Sequence, residues 1–65
     1  MNNNINTFEI LNTINWAYTK QLISFTDVAR MLIELGIDPD KSVINDSYYE
    51  FVSLDGKTKY EKHYN

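Results

Sequence analysis

The chain contains no cysteine, and only one proline and two glycines stand among its 65 residues. The lack of cysteine excludes disulfides and, with a single histidine, argues against a structural zinc site. No stretch approaches the roughly 20 apolar residues that a membrane-spanning helix needs. The two isolated glycines cannot build a glycine-rich phosphate loop. We therefore expect a small domain that its apolar core alone holds together, without cofactor or membrane contact.

Catalytic groups are equally scarce. The single histidine, His63, lies near the end of the chain, and no serine or acid has the partners that a nucleophile needs. Residues 38–42 superficially resemble the start of a calcium loop. However, Val43 occupies the position of the required glycine, and Tyr49 that of the bidentate glutamate. The sequence therefore predicts neither an enzyme nor a metal-binding protein.

The composition is that of a folding chain, with 43% hydrophobic and 14% aromatic residues. Its length predicts one domain, 1–65, that buries only about 60% of its unfolded surface, so dimerisation would add useful stability. Residues 1–5 are rich in asparagine and are predicted to be a disordered arm. They lack the charges and apolar region of a signal peptide, so we expect a cytoplasmic, soluble protein.

Charge is unevenly distributed along the chain. The net charge is −3, with a pI near 4.8. Residues 1–56 carry three basic and eight acidic residues, whereas residues 57–65 carry three lysines and one glutamate. A protein that grips nucleic acid through its phosphates usually has a basic footprint, and the acidic average argues against one here.

Two helices are predicted in the first half of the chain. Asn6 is a good N-cap, with Glu9 in the capping-box position, for a helix from Thr7 to about Lys20. Ser24 and Asp27 give the same signal for a second helix, which ends at Gly36 as a C′ residue. On the first helix Trp16 falls outside the apolar arc, which consists of Phe8, Ile10, Leu11, Ile14, Ala17 and Tyr18.

Asp38 and Pro39 form a helix-start signal, an N-cap followed by proline at the first helical position. We therefore predict a short third helix from Pro39 to Asn45, which would complete a helical part over residues 7–46. An extension to about Tyr49 is the alternative, and it would shorten the element that follows.

Residues 47–64 read as a β-hairpin, because Asp55-Gly56 lies between two β-prone runs and both turn residues would take positive φ. A two-residue turn pairs Phe51 with Tyr60 and gathers Tyr49, Phe51, Tyr60 and Tyr64 on one face. A three-residue turn would instead group Tyr48, Val52, Tyr60 and Tyr64. The first register is preferred because it joins more aromatic area.

Residues 25–37, with small Ala29 and the Gly36-Ile37 turn, resemble the first helix and turn of a helix-turn-helix unit. Residues 38–46 then take the place of a recognition helix and the hairpin that of a wing, so about residues 7–64 resemble a winged helix in element order. The predicted fold is thus α+β, three short helices followed by a two-stranded antiparallel hairpin. The resemblance implies DNA contact by the third helix and the wing.

The third helix departs from that pattern because Asp38, Asp40 and Asp46 outnumber Lys41, and acids there would repel phosphates. Many winged helices bind proteins, a use that the resemblance also implies. Trp16 is a candidate interface anchor, since tryptophan buries much area at low entropic cost; its alternative is packing against the hairpin. The further candidates for a protein interface are Asp38, Asp40, Tyr48, Val52 and Leu54.

The function predicted is non-catalytic binding of a protein partner. Asn, Ile, Lys and Tyr have codons rich in A and T, and a small acidic protein from such a genome fits a phage or mobile-element accessory factor. It would bind and modulate a nucleic-acid-processing protein, as inhibitor or subunit. The alternatives are winged-helix DNA binding and an oligomerising module that uses the hairpin edge. The nucleic-acid candidates are Lys41, Ser42, Asn45, Lys57, Lys59, Lys62 and His63; for the lysines of the last strand, the other interpretation is protection of an edge strand.

Overall fold

The computed structural model describes residues 6–64, so the predicted N-terminal arm lies outside the described residues. Two helices, α1 (Thr7–Thr19) and α2 (Phe25–Glu34), precede three strands, β1 (Ile37–Ile44), β2 (Tyr48–Ser53) and β3 (Lys59–His63). The strands form one antiparallel sheet in the order β1-β2-β3. Within the described part of the chain, neither helix has the length and apolar character to cross a membrane.

Both helices begin at the predicted caps. The Asn6 side chain accepts a hydrogen bond from the Glu9 N–H at 2.9 Å. Ser24 and Asp27 form a reciprocal capping box at the start of α2. At the other ends the chain turns through left-handed residues, Gln21 with φ 65° after α1 and Gly36 with φ 81° after α2. These caps satisfy backbone groups at both ends of each helix and allow a tight connection between them.

The predicted third helix and two-stranded hairpin are wrong: the structure has two helices and a three-stranded sheet. Residues 37–44 form β1, which pairs with β2 through Ile37 opposite Ser53 and Ile44 opposite Tyr49. The winged-helix resemblance therefore fails, because a strand stands where the recognition helix was expected. A two-stranded hairpin is marginally stable alone, and β1 supplies the second neighbour that β2 needs.

The helix start predicted at Asp38-Pro39 is wrong because an aspartate side chain can accept the same backbone hydrogen bond in a turn. The Asp38 carboxylate accepts from the Asp40 N–H at 2.9 Å, as an aspartate does in an Asx turn, and the chain then continues into the sheet. Residues 39–42 together stand opposite Phe51, so this is a large bulge in β1. Proline is tolerated at such a bulge because no ladder hydrogen bond requires its missing N–H.

Ser42 closes the bulge. Its hydroxyl donates to the Asp38 carbonyl at 2.7 Å and accepts from the Val52 N–H at 3.3 Å. The side chain thus provides the acceptor that a regular partner strand would give to β2. Because Ser42 is half-buried, water does not fully replace this bond.

The preferred hairpin register is confirmed, with Phe51 opposite Tyr60 and Tyr49 opposite Lys62. The expected turn geometry is wrong: Gly56 alone in the turn has positive φ, 75°, and its N–H donates to the Ser53 carbonyl at 2.9 Å. The Ser53 hydroxyl, which donates at 2.6 Å, and the Lys57 N–H hold the pKa of Asp55 below its usual value. The acid therefore orders the turn through hydrogen bonds, without a positive φ of its own.

The core lies between the two helices and one face of the sheet. Tyr49 and Phe51, alternate residues of β2, are fully buried there. The other buried hydrophobic residues are Leu11, Ile14, Val28, Leu32 and Ile37. Strand alternation turns Tyr48, Glu50 and Val52 to the opposite face, which no described helix covers. The molecule is thus a two-layer α+β structure with one open sheet face.

Replacing Ser42 by alanine should lower the free energy of unfolding by about 1–2 kcal/mol, because the Val52 N–H loses its acceptor. Urea denaturation with an unchanged m-value would measure the loss. Ser47→Ala is the matched control, since Ser47 is exposed in the neighbouring loop, and a change within about 0.5 kcal/mol is expected. Equal effects of the two changes would contradict the role given to Ser42.

Candidate functional site

Trp16 lies on the surface of α1. The residue is 54% exposed, so packing against the hairpin, the alternative weighed from the sequence, does not bury it. The surface groove beside it is also lined by Asp46, in the β1–β2 loop, and by Tyr64, directly after β3. We call this the tryptophan groove; it has a volume of about 410 Å³ and is lined by Asn15, Trp16, Thr19, Lys20, Asp46 and Tyr64.

The tryptophan groove combines aromatic area with one charge of each sign. Trp16 and Tyr64 supply the aromatic surface, and Lys20 and Asp46 supply the charges. No ion pair joins Lys20 to Asp46 among the residues that the structure describes, so both remain available to a ligand. Aromatic groups beside unpaired charges are typical of a protein-binding surface, in which the aromatic groups anchor and the charges orient.

A buried amide forms part of the same groove. Asn15 is only 3% exposed, and its side-chain oxygen accepts no hydrogen bond within residues 6–64. A buried acceptor without a partner is costly, so such groups are uncommon in folded proteins. A sequence signal for Asn15 was missed: four residues after Leu11 and three before Tyr18, it falls within the apolar arc of α1, whereas Asn12 falls outside it.

Asn12, three residues before Asn15, connects the helix to the sheet. Its side-chain oxygen accepts from the Tyr49 hydroxyl at 2.8 Å and from the Tyr64 hydroxyl at 3.5 Å. Burial, and after it the neighbouring Tyr64, raises the pKa of Tyr49 above the ordinary value of 10.0. Tyr64 therefore reaches the tryptophan groove from a position that the core fixes through Asn12.

The open face of the sheet carries two of the predicted interface residues. Tyr48 is half-buried and stacks on His63 with ring centroids 5.2 Å apart, and Val52 lies four residues further along β2. Leu54 is exposed in the turn after the strand. Between them Glu50 forms an ion pair with Lys59 at 3.3 Å. This face therefore mixes aromatic and aliphatic side chains with charged ones.

The predicted nucleic-acid residues do not form one basic surface. Lys59 is paired with Glu50, and His63 lies 3.3 Å from Glu61. The Lys62 ammonium lies 5.3 Å from the Tyr64 ring centre, on the opposite side of β3 from Lys59. Lys57 belongs to the turn region. Nearby acids therefore offset part of the positive charge of β3, and strand alternation places the rest on two different faces.

The remaining candidates belong to β1 and the loop after it. Ser42 closes the bulge, and the Asn45 side chain accepts from the Ser47 and Tyr48 N–H groups at 2.8 and 2.9 Å. Asp40 and Lys41 are exposed in the bulge, where Asp38 holds the turn. Ser42 and Asn45 therefore have structural hydrogen bonds, and the structure does not bring them together with the lysines of β3.

A second groove lies between the helices and was not predicted. Its walls are Glu9, Ile10, Thr13 and Ile14 of α1, Met31 and Glu34 of α2 and Leu35 directly after α2, and its volume is about 570 Å³. We call it the helix groove. The apolar periodicity of each helix could have indicated its walls, but the crossing of the two helices decides that a groove remains between them.

Neither metal-ligating side chains nor comparison with known proteins assigns a function to these surfaces. Among residues 6–64 no three histidine or acidic side chains cluster in a way that could hold a metal ion. Comparison of the chain with protein-family models, curated proteins and solved structures gives no match. The two grooves and the open sheet face are therefore the basis for any functional argument.

The Tyr49 hydroxyl should make stability depend on alkaline pH. Because the pKa of Tyr49 is raised in the folded state, the stabilisation of the fold by its neutral hydroxyl is complete below the ordinary pKa of 10.0. That stabilisation is lost as pH rises through the pKa of the folded state. Tyr49→Phe should cost about 1 kcal/mol near neutral pH, through the lost bond to Asn12. Denaturation above pH 10 should then show a smaller gap between the wild type and the variant. A gap that is the same at both pH values would contradict this account.

Proposed function

We propose that this chain is a small non-catalytic binding protein that docks on a protein partner through the tryptophan groove. The observation that carries the proposal is the exposure of Trp16, the only tryptophan of the chain. The core of this domain contains seven buried hydrophobic residues, yet Trp16, its largest apolar side chain, is half-exposed. Tryptophan is enriched among the residues that dominate binding energy at interfaces.

The surroundings of Trp16 support the same proposal. Lys20 and Asp46 line the groove beside the aromatic surface and can orient a partner. A peptide or protein surface presents matching groups of these kinds: apolar side chains and charges of both signs. The groove therefore suits a polypeptide better than it suits a uniformly charged ligand.

The partner proposed is a nucleic-acid-processing protein, which this chain would modulate as an inhibitor or a subunit in the cytoplasm of a phage- or element-bearing host. Two features support this narrower form: the abundance of residues with A- and T-rich codons, and the net charge of −3. Enzymes that bind nucleic acid present basic surfaces, toward which an acidic protein is electrostatically steered.

An affinity pull-down from lysate of a low-GC bacterial host, with nuclease-treated and untreated arms, tests the class of partner. We expect one stoichiometric protein that survives nuclease treatment. Its binding should weaken only modestly with salt and should persist when Lys57, Lys59 and Lys62 are reversed in charge together. Recovery of nucleic acid, with all protein lost on nuclease treatment, would contradict the proposal, as would a steep salt dependence.

Trp16→Ala should then lower the affinity for the captured partner at least about thirtyfold, because an anchor contributes about 2 kcal/mol or more. Calorimetric titration would measure the loss. The free energy of unfolding should change by no more than about 1 kcal/mol, since the side chain is half-exposed. Ile33→Ala is the matched control: Ile33 is 55% exposed on α2 and lines neither groove. An equal loss in both variants would contradict the role of Trp16 as the anchor.

A further inference from the structure

The helix groove has an apolar floor and an acidic rim. Ile10, Ile14, Met31 and Leu35 supply its apolar surface, and Thr13 adds a small polar wall. Met31 is flexible and polarizable and can adapt to different apolar shapes. The two charged residues that line the groove, Glu9 and Glu34, are both acidic. An occupant must therefore match apolar surface and negative charge together.

Both carboxylates belong to helix ends that line the groove. Glu9 belongs to the first turn of α1, and Glu34 is the last residue of α2, which packs beside it. Each is exposed, and neither forms an ion pair with any residue between 6 and 64. Two unpaired carboxylates on the rim of an apolar groove favour a cation beside them.

The helix dipoles make Glu34 the more favourable partner for that cation. Glu9 stands at the positive end of α1, where its own helix stabilises a carboxylate. Glu34 stands at the negative end of α2, whose last turn contains no basic residue. A lysine or arginine brought by a ligand would lie at the place where helix ends prefer positive charge.

We infer that the helix groove docks a polypeptide segment in which one or two large aliphatic side chains stand directly beside lysine or arginine. The walls extend over residues 9–14 of α1 and residues 31–35 at the end of α2, a rise of roughly 6–8 Å along each helix, which limits the apolar part to residues about one helical turn apart. Fatty acids and nucleic acids carry the wrong charge for the rim. A second copy docked through the same face would supply two more glutamates and no lysine or arginine from its own helix groove, so it lacks the cation that the rim favours.

This inference does not depend on the function proposed for the tryptophan groove. Trp16 does not line the helix groove, and no residue of the helix groove lines the other. Trp16→Ala should therefore leave binding at the helix groove unchanged. If the expected binding fails at one groove only, the proposal for that groove has failed and the proposal for the other groove stands.

The test uses the full chain and four short fluorescein-labelled peptides in a two-by-two design. One peptide carries two leucines one helical turn apart, each next to a lysine; the others replace leucine by serine, lysine by glutamate, or both. Fluorescence anisotropy measures the affinity of each. We expect the leucine–lysine peptide to bind at least about tenfold more tightly than the other three. Its effects on amide NMR shifts should centre on Thr13, Met31 and Leu35.

Variants of the rim test the charge requirement. Glu9→Gln with Glu34→Gln should weaken the leucine–lysine peptide about fivefold, as expected for two exposed ion pairs, and Glu34→Gln alone should account for the larger share. Asp40→Asn with Glu61→Gln removes the same charge from exposed positions elsewhere and should have no effect. Thr13→Arg, at an exposed position of the wall, should abolish binding without unfolding the chain.

Several outcomes would overturn the inference. The first is a leucine–lysine peptide that does not bind, or binds no more tightly than the serine or glutamate peptides. The second is a pattern of NMR shifts centred on Trp16 or on the open sheet face. The third is an equal loss in the rim variant and its charge-matched control. A concentration-dependent mass that Thr13→Arg returns to the monomer value would identify a second copy as the occupant and would overturn it also.

Discussion

The structure depends on the burial of the central strand, β2. Tyr49 and Phe51 are fully buried on one face of this strand and contact each other with ring centroids 4.9 Å apart. Their burial requires helices above them and a hydrogen-bonded neighbour on each side of β2, since unpaired backbone in such a site is costly. β3 provides one neighbour and β1 the other. The helices have to cover that face only, and this leaves the outer surface of α1 and the far face of the sheet uncovered.

Local signals predicted the elements that local interactions stabilise. The caps at Asn6, Ser24 and Gly36 set the helix ends, and the grouping of aromatic residues selected the hairpin register. β1 was missed because Asp38-Pro39 can begin a helix or an Asx turn, and only pairing with a distant strand decides between them. The bulge at residues 39–42 also removes the alternation by which a strand is recognised.

The tryptophan groove was predictable only where local periodicity determines it. The position of Trp16 off the apolar stripe of α1 follows from helical periodicity, whereas its neighbours Asp46 and Tyr64 come from loops that the sheet brings to it. The burial of Asn15 also follows from that periodicity, whereas the helix groove depends on how the helices pack, which no local pattern specifies. The choice of Ser42 and Asn45 as nucleic-acid candidates relied on a third helix and lost that basis, because the segment is a strand followed by a loop.

Different surfaces of this small fold provide stability and candidate binding sites. The face that contains Tyr49 and Phe51 stabilises the domain, and α1 presents a different groove on each of two sides. One groove is aromatic with mixed charge, and the other is apolar with an acidic rim. A partner that carries both basic and apolar features could contact the two grooves at once, which would compensate for the small area that either offers alone.

The most direct test of this account is the intrinsic fluorescence of Trp16, because the chain has no other tryptophan. Emission and acrylamide quenching would be recorded for the monomeric protein, free and with its captured partner. The account predicts a side chain that is readily quenched in the free protein and becomes protected, with blue-shifted emission, in the complex. Protection already in the free monomer, or no change on binding, would contradict the central claim that Trp16 is left for a partner to bury.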